Sequence, residues 1–290
     1  MLSNLFKYLP EPTYTTYLPL LFKDERIGWV HQDNLPLLRP FTDIFTEDKN
    51  MLHFSDAFIN TDFADRSAQI DTFSRHLLDI GFITNWRDEA YGIYLPNEDL
   101  QTALFTIERG VAPVLGLRVF GVHINGYLSP NENASIEKMW IAKRSKLKKI
   151  EPHKLDNLAA GGLSFGEKPE ITAIRESMEE ANIPEELTRA LAYAGPFNYL
   201  AEFNKTIRDE CIFIYDLPLP ASFRPMINDG EVEAFYCITP AEIKEALLDG
   251  EKFKPNSGLV TLHFLLRKKL VQFSEKEAQY LHQRLSLSLV

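Results

Sequence analysis

The chain has 290 residues, 45% apolar and 25% charged, with a formal net charge of −10. That composition supports a buried core, excludes an intrinsically disordered chain and allows two domains of ordinary size. The acidic balance argues against nucleic-acid binding, which needs a basic surface, and no run of apolar residues is long enough to span a membrane.

The opening stretch MLSNLFKYLPEPTY lacks a basic segment followed by an apolar one, so no secretion signal is expected and the cytoplasm is the default compartment. Residues 1–112 read as a small α+β domain whose part in substrate choice is left open. RIGWVHQ predicts a strand, and ADRSAQIDTFSRHLLDIGFI predicts an amphipathic helix with Ile70, Phe73, Leu77 and Ile80 on one stripe. EAYGIYLP predicts another strand. Trp29, Trp86, Tyr91 and Tyr94 are expected in the core rather than stacked on a ligand. His31 and His76 have no second ligand in view and receive no role. Gly110 to Pro113 punctuate the chain, and residues 113–290 are taken as the second domain.

There, VLGLRVFGVHINGYLS and EKMWIAKRS alternate as two strands of a hairpin. The second strand opens a basic run, KMWIAKRSKLKKIEPHK. Lys143 and Arg144 end the strand, and Lys146, Lys148 and Lys149 lie beyond it. Phosphate would meet cations here, although a solvated loop explains each lysine equally well and Arg144 is the favoured contact. After the acidic segment 161–183, PEELTRALAYA predicts a short helix, and GPFNYLAEF, RDECIFIYDLPLP and GEVEAFYCIT predict strands. PAEIKEALLDG predicts a helix with Pro near its start, and residues 256–289 read as largely helical. Cys211 and Cys237 fall in apolar strand-like runs and are expected as buried thiols. A mixed sheet flanked by helices is the simplest packing of this order, an α/β class.

The segment GGLSFGEKPEITAIRESMEEANI carries the chemistry. Glu176, Glu179 and Glu180 stand at i, i+3 and i+4, so on a helix their carboxylates share one face. Their repulsion becomes attraction once a hard divalent cation binds. A solvated acidic helix would explain that spacing alone. The glycines Gly161, Gly162 and Gly166 are expected to turn the chain tightly and bring backbone close to a ligand, with Pro169 in the first helical turn. The spacing Gly161-x5-Glu167-x7-Arg175-Glu176-x2-Glu179-Glu180-x2-Ile183 resembles the signature of the Nudix hydrolases. Asn182 stands where that pattern has Gly, and Asn is the next choice for a left-handed residue. Ser177 stands where it usually has an apolar residue and is expected to face the sheet, bonding back to a preceding carbonyl.

The resemblance implies an α/β/α sandwich with a mixed sheet. It implies that Glu176, Glu179 and Glu180 hold Mg²⁺, or Mn²⁺, with one of them activating water, and that Arg175 pairs with a loop carboxylate such as Glu167. The diphosphate substrate would meet Arg144, Lys143, Gly161 and Gly162. Such enzymes commonly draw a further acid from downstream; NDGEVEAF offers Asp229, Glu231 and Glu233, of which Glu231 is chosen as the added metal ligand, with Glu202 and Glu210 as rivals. AKRS, LDNLAAGGLSFGE, IPEEL and YDLPLPASFRPMINDGEVEAF further resemble the Nudix proteins related to thiamin pyrophosphokinase. Members of that subgroup carry an upstream domain, whose start LPLLFKDERIGWVHQDNLPLL resembles. This implies hydrolysis of thiamin diphosphate, or of oxythiamin diphosphate, to the monophosphate. Rival readings are ADP-ribose or NADH hydrolysis and a diphosphate sensor without catalysis. Diphosphate isomerisation lacks a signal for its cysteine. The expected partner is a small diphosphate, with no nucleic acid and no membrane; a homodimer is left open.

Overall fold

The computed structural model describes residues 11–96, 100–128, 136–228, 230–277 and 281. Near its start, strands β1 (Tyr17–Phe22), β2 (Glu25–His31), β3 (Phe45–Asp48) and β4 (Met51–Phe54) form a sheet in the order β2-β1-β4-β3, with β1 and β4 parallel. Only the second of these strands is foreshadowed by the alternation in RIGWVHQ. Helix α1 (Phe63–Asp79) starts at Asp62, whose carboxylate accepts from the Asp65 N–H, and buries Ile70, Phe73 and Leu77. Ile80 does not extend that stripe: it forms the C-cap, Gly81 turns the chain at φ 74°, and the side chain is 51% exposed. β5 (Ala90–Ile93) pairs antiparallel with β6 (Phe105–Glu108). Tyr91 is buried as expected of a core aromatic, whereas Trp29, Trp86 and Tyr94 are half-buried.

The larger sheet contains β7 (Arg118–Leu128), β8 (Lys138–Arg144), β9 (Leu155–Asp156), β10 (Ala159–Gly162), β11 (Ala192–Phe203), β12 (Thr206–Leu219) and β13 (Val232–Ile238). Its order is β11-β12-β7-β8-β13; β7 and β12 run parallel and the remaining pairs antiparallel. Beside β7 the sheet forks. Residues 126–128 pair with β8, but residues 121–124 pair with β10 instead, and β9 joins the far end of β8. Gly126 permits this, because the Leu158 side chain fills the place a Cβ would take there.

Period-2 alternation assigns the two faces. On β12, Ile212 and Ile214 pack with Phe197 and Tyr199 under α3 (Pro240–Asp249) and α4 (Pro255–Arg267), while Tyr215, Leu217 and Leu219 face the other way. That second face is covered by α2 (Pro169–Ala181), the helix carrying the three glutamates, through Ala173 and Ala181. The result is the expected α/β/α sandwich on a mixed sheet. Three local expectations differ. The helix after α2 is a single turn, Glu185–Thr188, because β11 pairs with β12 from Ala192 onward and claims the rest of PEELTRALAYA. In the C-terminal stretch, α4 ends at Arg267 and the chain turns at Lys269, φ 54°, before helical residues resume at 275; residues 278–280 and 282–290 of that expectation lie outside the described residues. Cys211 and Cys237 are half-buried free thiols rather than core ones; β13, which carries Cys237, is an edge strand.

Candidate active site

Helix α2 begins with Pro169 in its first turn and ends at Asn182, which takes the left-handed conformation at φ 50°, ψ 43°. Ser177 is buried against the sheet, and its hydroxyl donates to the Ala173 carbonyl at 2.7 Å, so the polar residue costs little there. The three glutamates, one face on paper, occupy three environments. Glu179 has a side chain 51% exposed, Glu176 one of 12%, and Glu180 is 6% exposed. Glu180 Oε2 accepts the Ala160 N–H of β10 at 2.9 Å, which ties helix to strand.

Gly161 and Gly162 lie in β10 with no positive φ, so they do not turn the chain; Gly166, at φ 86°, does. Their need is close approach. A Cβ on Gly161 would lie 2.0 Å from Glu176 Oε1, and one on Gly162 would lie 1.5 Å from the Tyr91 hydroxyl oxygen. Arg175 reaches Glu167 at 3.1 Å, Glu176 at 2.9 Å and Glu179 at 2.8 Å, and Thr172 donates to Glu167 at 2.8 Å.

Burial raises the Glu176 carboxyl above its ordinary value even though Arg175 opposes it. Burial raises Glu180 further, to about 8, and the charges of Glu176 and Asp156 add to that. Glu167 goes the other way: burial pushes it up, but hydrogen bonds from Arg175 and Thr172 prevail and lower it. Among the described residues no three acidic, His or Cys side chains converge on one point, since Arg175 holds Glu176 and Glu179. The donor chemistry nevertheless fits a hard divalent cation: carboxylate oxygens of like charge, those of Glu176 and Glu180 drawn toward protonation by burial, beside a glycine whose missing Cβ makes room for Glu176.

A cleft of about 980 Å³ opens beside these groups, and Glu180 is not part of its lining. Glu167, Arg175, Glu176, Glu179, Gly161 and Gly162 form one side; Arg144, Lys148, Lys149 and Lys254 bring cations to it. Strand alternation separates the two basic residues at the end of β8. Arg144 faces the cleft and binds Asp156 at 2.8 Å and the carbonyls of Ile150 and Glu151 at 2.8 and 3.0 Å, closing the basic loop on itself. Lys143 lies outside the cleft lining, paired with Glu233 at 2.7 Å. Glu231 lines the cleft beside the Lys148 ammonium, and Glu210 lines it with an acceptor bond from Asn256 at 2.8 Å. Glu202 instead accepts the Thr13 N–H, and Asp229 lies outside the described residues.

Sequence reasoning missed Asp156, Lys254 and Arg109, which belong to the cleft or its support, and it named Tyr91 only as a core ring, whereas Tyr91 also borders the cleft. Asp156 was legible only as a residue between the basic run and the glycines. Lys254 lies outside both motifs.

A family profile described as "NUDIX domain" matches residues 126–257, and one described as "Domain of unknown function (DUF4743)" matches residues 4–119. The chain is 31% identical over 276 residues to "Nudix hydrolase 20, chloroplastic" of Arabidopsis thaliana, covering 93% of this chain and 72% of that protein. It is 31% identical to "Nudix hydrolase 24, chloroplastic" of the same plant, covering 88% of this chain and 69% of that one. An uncharacterised protein of Saccharomyces cerevisiae is 34% identical, over 77% of this chain and 68% of its own length. Among the described residues no helix is long and apolar enough to cross a membrane.

Proposed function

This chain belongs to the Nudix hydrolases, which act on phosphoric anhydride bonds, and from that premise we propose that its substrate is an organic diphosphate held between the α2 carboxylates and the cations Arg144, Lys148 and Lys254. The observation that carries the reading is the opposition of these two charge sets in one cleft. Phosphate needs the cations, and the carboxylates would repel it unless a cation bridged them. Glu176, Glu179 and Glu180 would hold Mg²⁺, or Mn²⁺, with Glu231 as the downstream acid. Such an ion, when bound, screens the phosphate charge that grows during substitution and acidifies water.

The chain's own residues do the rest. Arg175 and Glu167 hold the loop that precedes α2 against the helix, so the carboxylates keep their places. The buried Glu180–Ala160 contact fixes α2 to β10, and β10 presents backbone at Gly161 and Gly162 where a side chain would block the cleft. A carboxylate of the set takes the proton of the attacking water, the new P–O bond forms, and the anhydride P–O bond breaks to give two phosphate products.

The finer reading is a thiamin-type diphosphate, cleaved to the monophosphate and phosphate. The subgroup resemblance supports it, and so do the carboxylates of Glu89 and Glu210 in the cleft lining, whose charge suits a cationic ring. Phosphate release with Mg²⁺ across thiamin diphosphate, oxythiamin diphosphate, ADP-ribose, NADH and nucleoside triphosphates tests both levels. Preference for the thiamin compounds supports the finer reading; preference for ADP-ribose or NADH retires it and keeps the chemistry. No turnover at all favours a sensor. We also propose a reducing compartment, the cytoplasm being the default, on the two free thiols.

A pH dependence follows from the buried carboxyl. In the unfolded chain Glu180 releases its proton near 4.5, but in the folded, metal-free protein burial holds it until about 8. Between those values the folded state holds the extra proton, so its stability falls as pH rises across that window. Melting curves in chelator between pH 5 and 8 should show the fall, and Mn²⁺ should reverse most of it at the upper end. A flat profile with no response to Mn²⁺ would place the metal elsewhere.

A further inference from the structure

One wall of the cleft comes from far upstream of α2, from Asn85, Arg87, Glu89, Tyr91 and Arg109. A buried carboxylate builds that wall. Glu108 is 7% exposed and accepts the backbone N–H groups of Arg87 at 2.9 Å and of Glu89 and Gly110 at 3.2 Å. One side chain thereby clamps two loops, and Arg109 projects from the second. Its guanidinium lies 2.9 Å from Glu89 and 5.7 Å from the Tyr91 ring centre, and its side chain is still 43% exposed to the open cleft. Tyr91 is in turn fixed, with its hydroxyl in the space that a Cβ on Gly162 would fill.

The wall is joined to the catalytic side by a continuous seam. The Phe165 N–H donates to the Ala90 carbonyl at 2.8 Å, Phe63 stacks on Phe165 at 5.0 Å, and Lys149 donates to the Thr84 carbonyl at 3.0 Å. Two polar atoms on this wall, Asn85 Oδ1 and Arg87 Nε, are buried without a hydrogen-bond partner although both residues line the cleft. Unmet groups of this kind cost about 1–3 kcal/mol each, so they are usually met by something. Behind burial and the charges of nearer neighbours, the Arg109 charge is a small further influence on Glu176, Lys148 and Lys254. It therefore sits within electrostatic reach of both charge sets.

We propose that this upstream segment is a working wall of the hydrolytic site: Arg109 binds phosphate oxygens of the diphosphate across the cleft from Glu176, and Glu108 is the positioning residue that aims it. The proposal rests on the diphosphate reading above. Phosphate then takes the place of Glu89 on the guanidinium, exchanging a single 2.9 Å contact for one in which two oxygens can meet the fork.

The test is calorimetric binding of inorganic pyrophosphate with Mg²⁺ to the full chain, its Arg109→Ala and Arg109→Gln variants, and Glu89→Gln. Gln keeps part of the stem over Tyr91 should Ala disturb folding, and Mn²⁺ binding is measured alongside. Both Arg109 variants should bind pyrophosphate about tenfold or more weakly with Mn²⁺ affinity kept within about twofold, the loss of one charge-assisted contact. Glu89→Gln should tighten pyrophosphate binding, whereas if Arg109 served only the ion pair, both partners' variants would act alike. Glu108→Gln should weaken binding in the wild-type background and add nothing to Arg109→Ala. Equal pyrophosphate affinity in wild type and both Arg109 variants overturns the inference even where turnover persists, and so does a wild type that binds no pyrophosphate. Arg109-dependent binding without turnover of any diphosphate would instead overturn the hydrolase reading and leave this one standing.

Discussion

Glu180→Gln is expected to lower kcat by about 100-fold or more while raising the melting temperature of the metal-free protein. The two effects have one cause. Glu180 is 6% exposed, and burial with the charges of Glu176 and Asp156 holds its carboxyl at about 8, so keeping it ionised is costly to the folded state. Gln has the same shape and an oxygen that can still accept the Ala160 N–H, so the tie between α2 and β10 survives. What is lost is the charge that would hold a divalent cation. Turnover on the best diphosphate of the panel, Mn²⁺ affinity and a melting curve in chelator check it together. Activity falling along with stability would make Glu180 a structural residue, and unchanged turnover would remove it from the site.

Asp156→Ala should destabilise the protein by about 3–5 kcal/mol, because it strands buried cations. Asp156 is 5% exposed, binds Arg144 at 2.8 Å and Lys254 at 3.7 Å, and also accepts the Asn157 N–H at 2.9 Å and the Ser257 hydroxyl. Burial pushes its carboxyl up, but Lys254 and Arg144 overcome that and hold it well below the usual range. Such a group stabilises the fold above the unfolded value and loses its contribution only as pH falls through the depressed one. The neighbouring network reinforces the point: His123 meets Asn157 at 2.7 Å, and Asn157 donates to Asn125 and Thr261 at 3.0 Å each. A thermal melt should drop by roughly 10 °C. Asp156→Asn, which keeps the volume but not the charge, should fall between; equal melting temperatures for wild type and Ala would show that the cations find water instead.

The carboxylate helix was legible because its information is local. Glu176, Glu179, Glu180, Arg175 and Glu167 fall within a few turns of one another, and the Asn182 and Ser177 departures were readable from backbone preference and hydroxyl chemistry alone. Arg109 and the place of Tyr91 at the cleft were not, because nothing near them in sequence marks a cleft. They reach it only through the seam around Phe165 and Ala90. Lys254 escaped for a similar reason, being placed by the start of α4 rather than by a motif. Gly161 and Gly162 show the subtler limit. The sequence says that a side chain is excluded there, but not whether a turn or a close neighbour excludes it, and the neighbour is Glu176 for one and Tyr91 for the other. Lys143 and Arg144 were both offered to the diphosphate; as neighbours on one strand they face opposite ways, and only the sheet says which of them faces the cleft.

The parallel pairing of β7 with β12 sets an order of assembly. Arg118 and Asp209, which begin that pairing, are separated by 91 positions, and the whole of β8 through β11 lies between them. Closing a loop of that size requires an entropic loss before the contacts it brings can compensate, which makes such topologies slow to fold. Until β12 arrives, β7 has an open edge, and α2 lacks Tyr215 and Leu217, part of the surface it covers. On a ribosome the carboxylates therefore emerge well before the platform that organises them is complete. A chain truncated ahead of Thr206 would keep every residue of the acidic motif and still lack the strand that completes its platform.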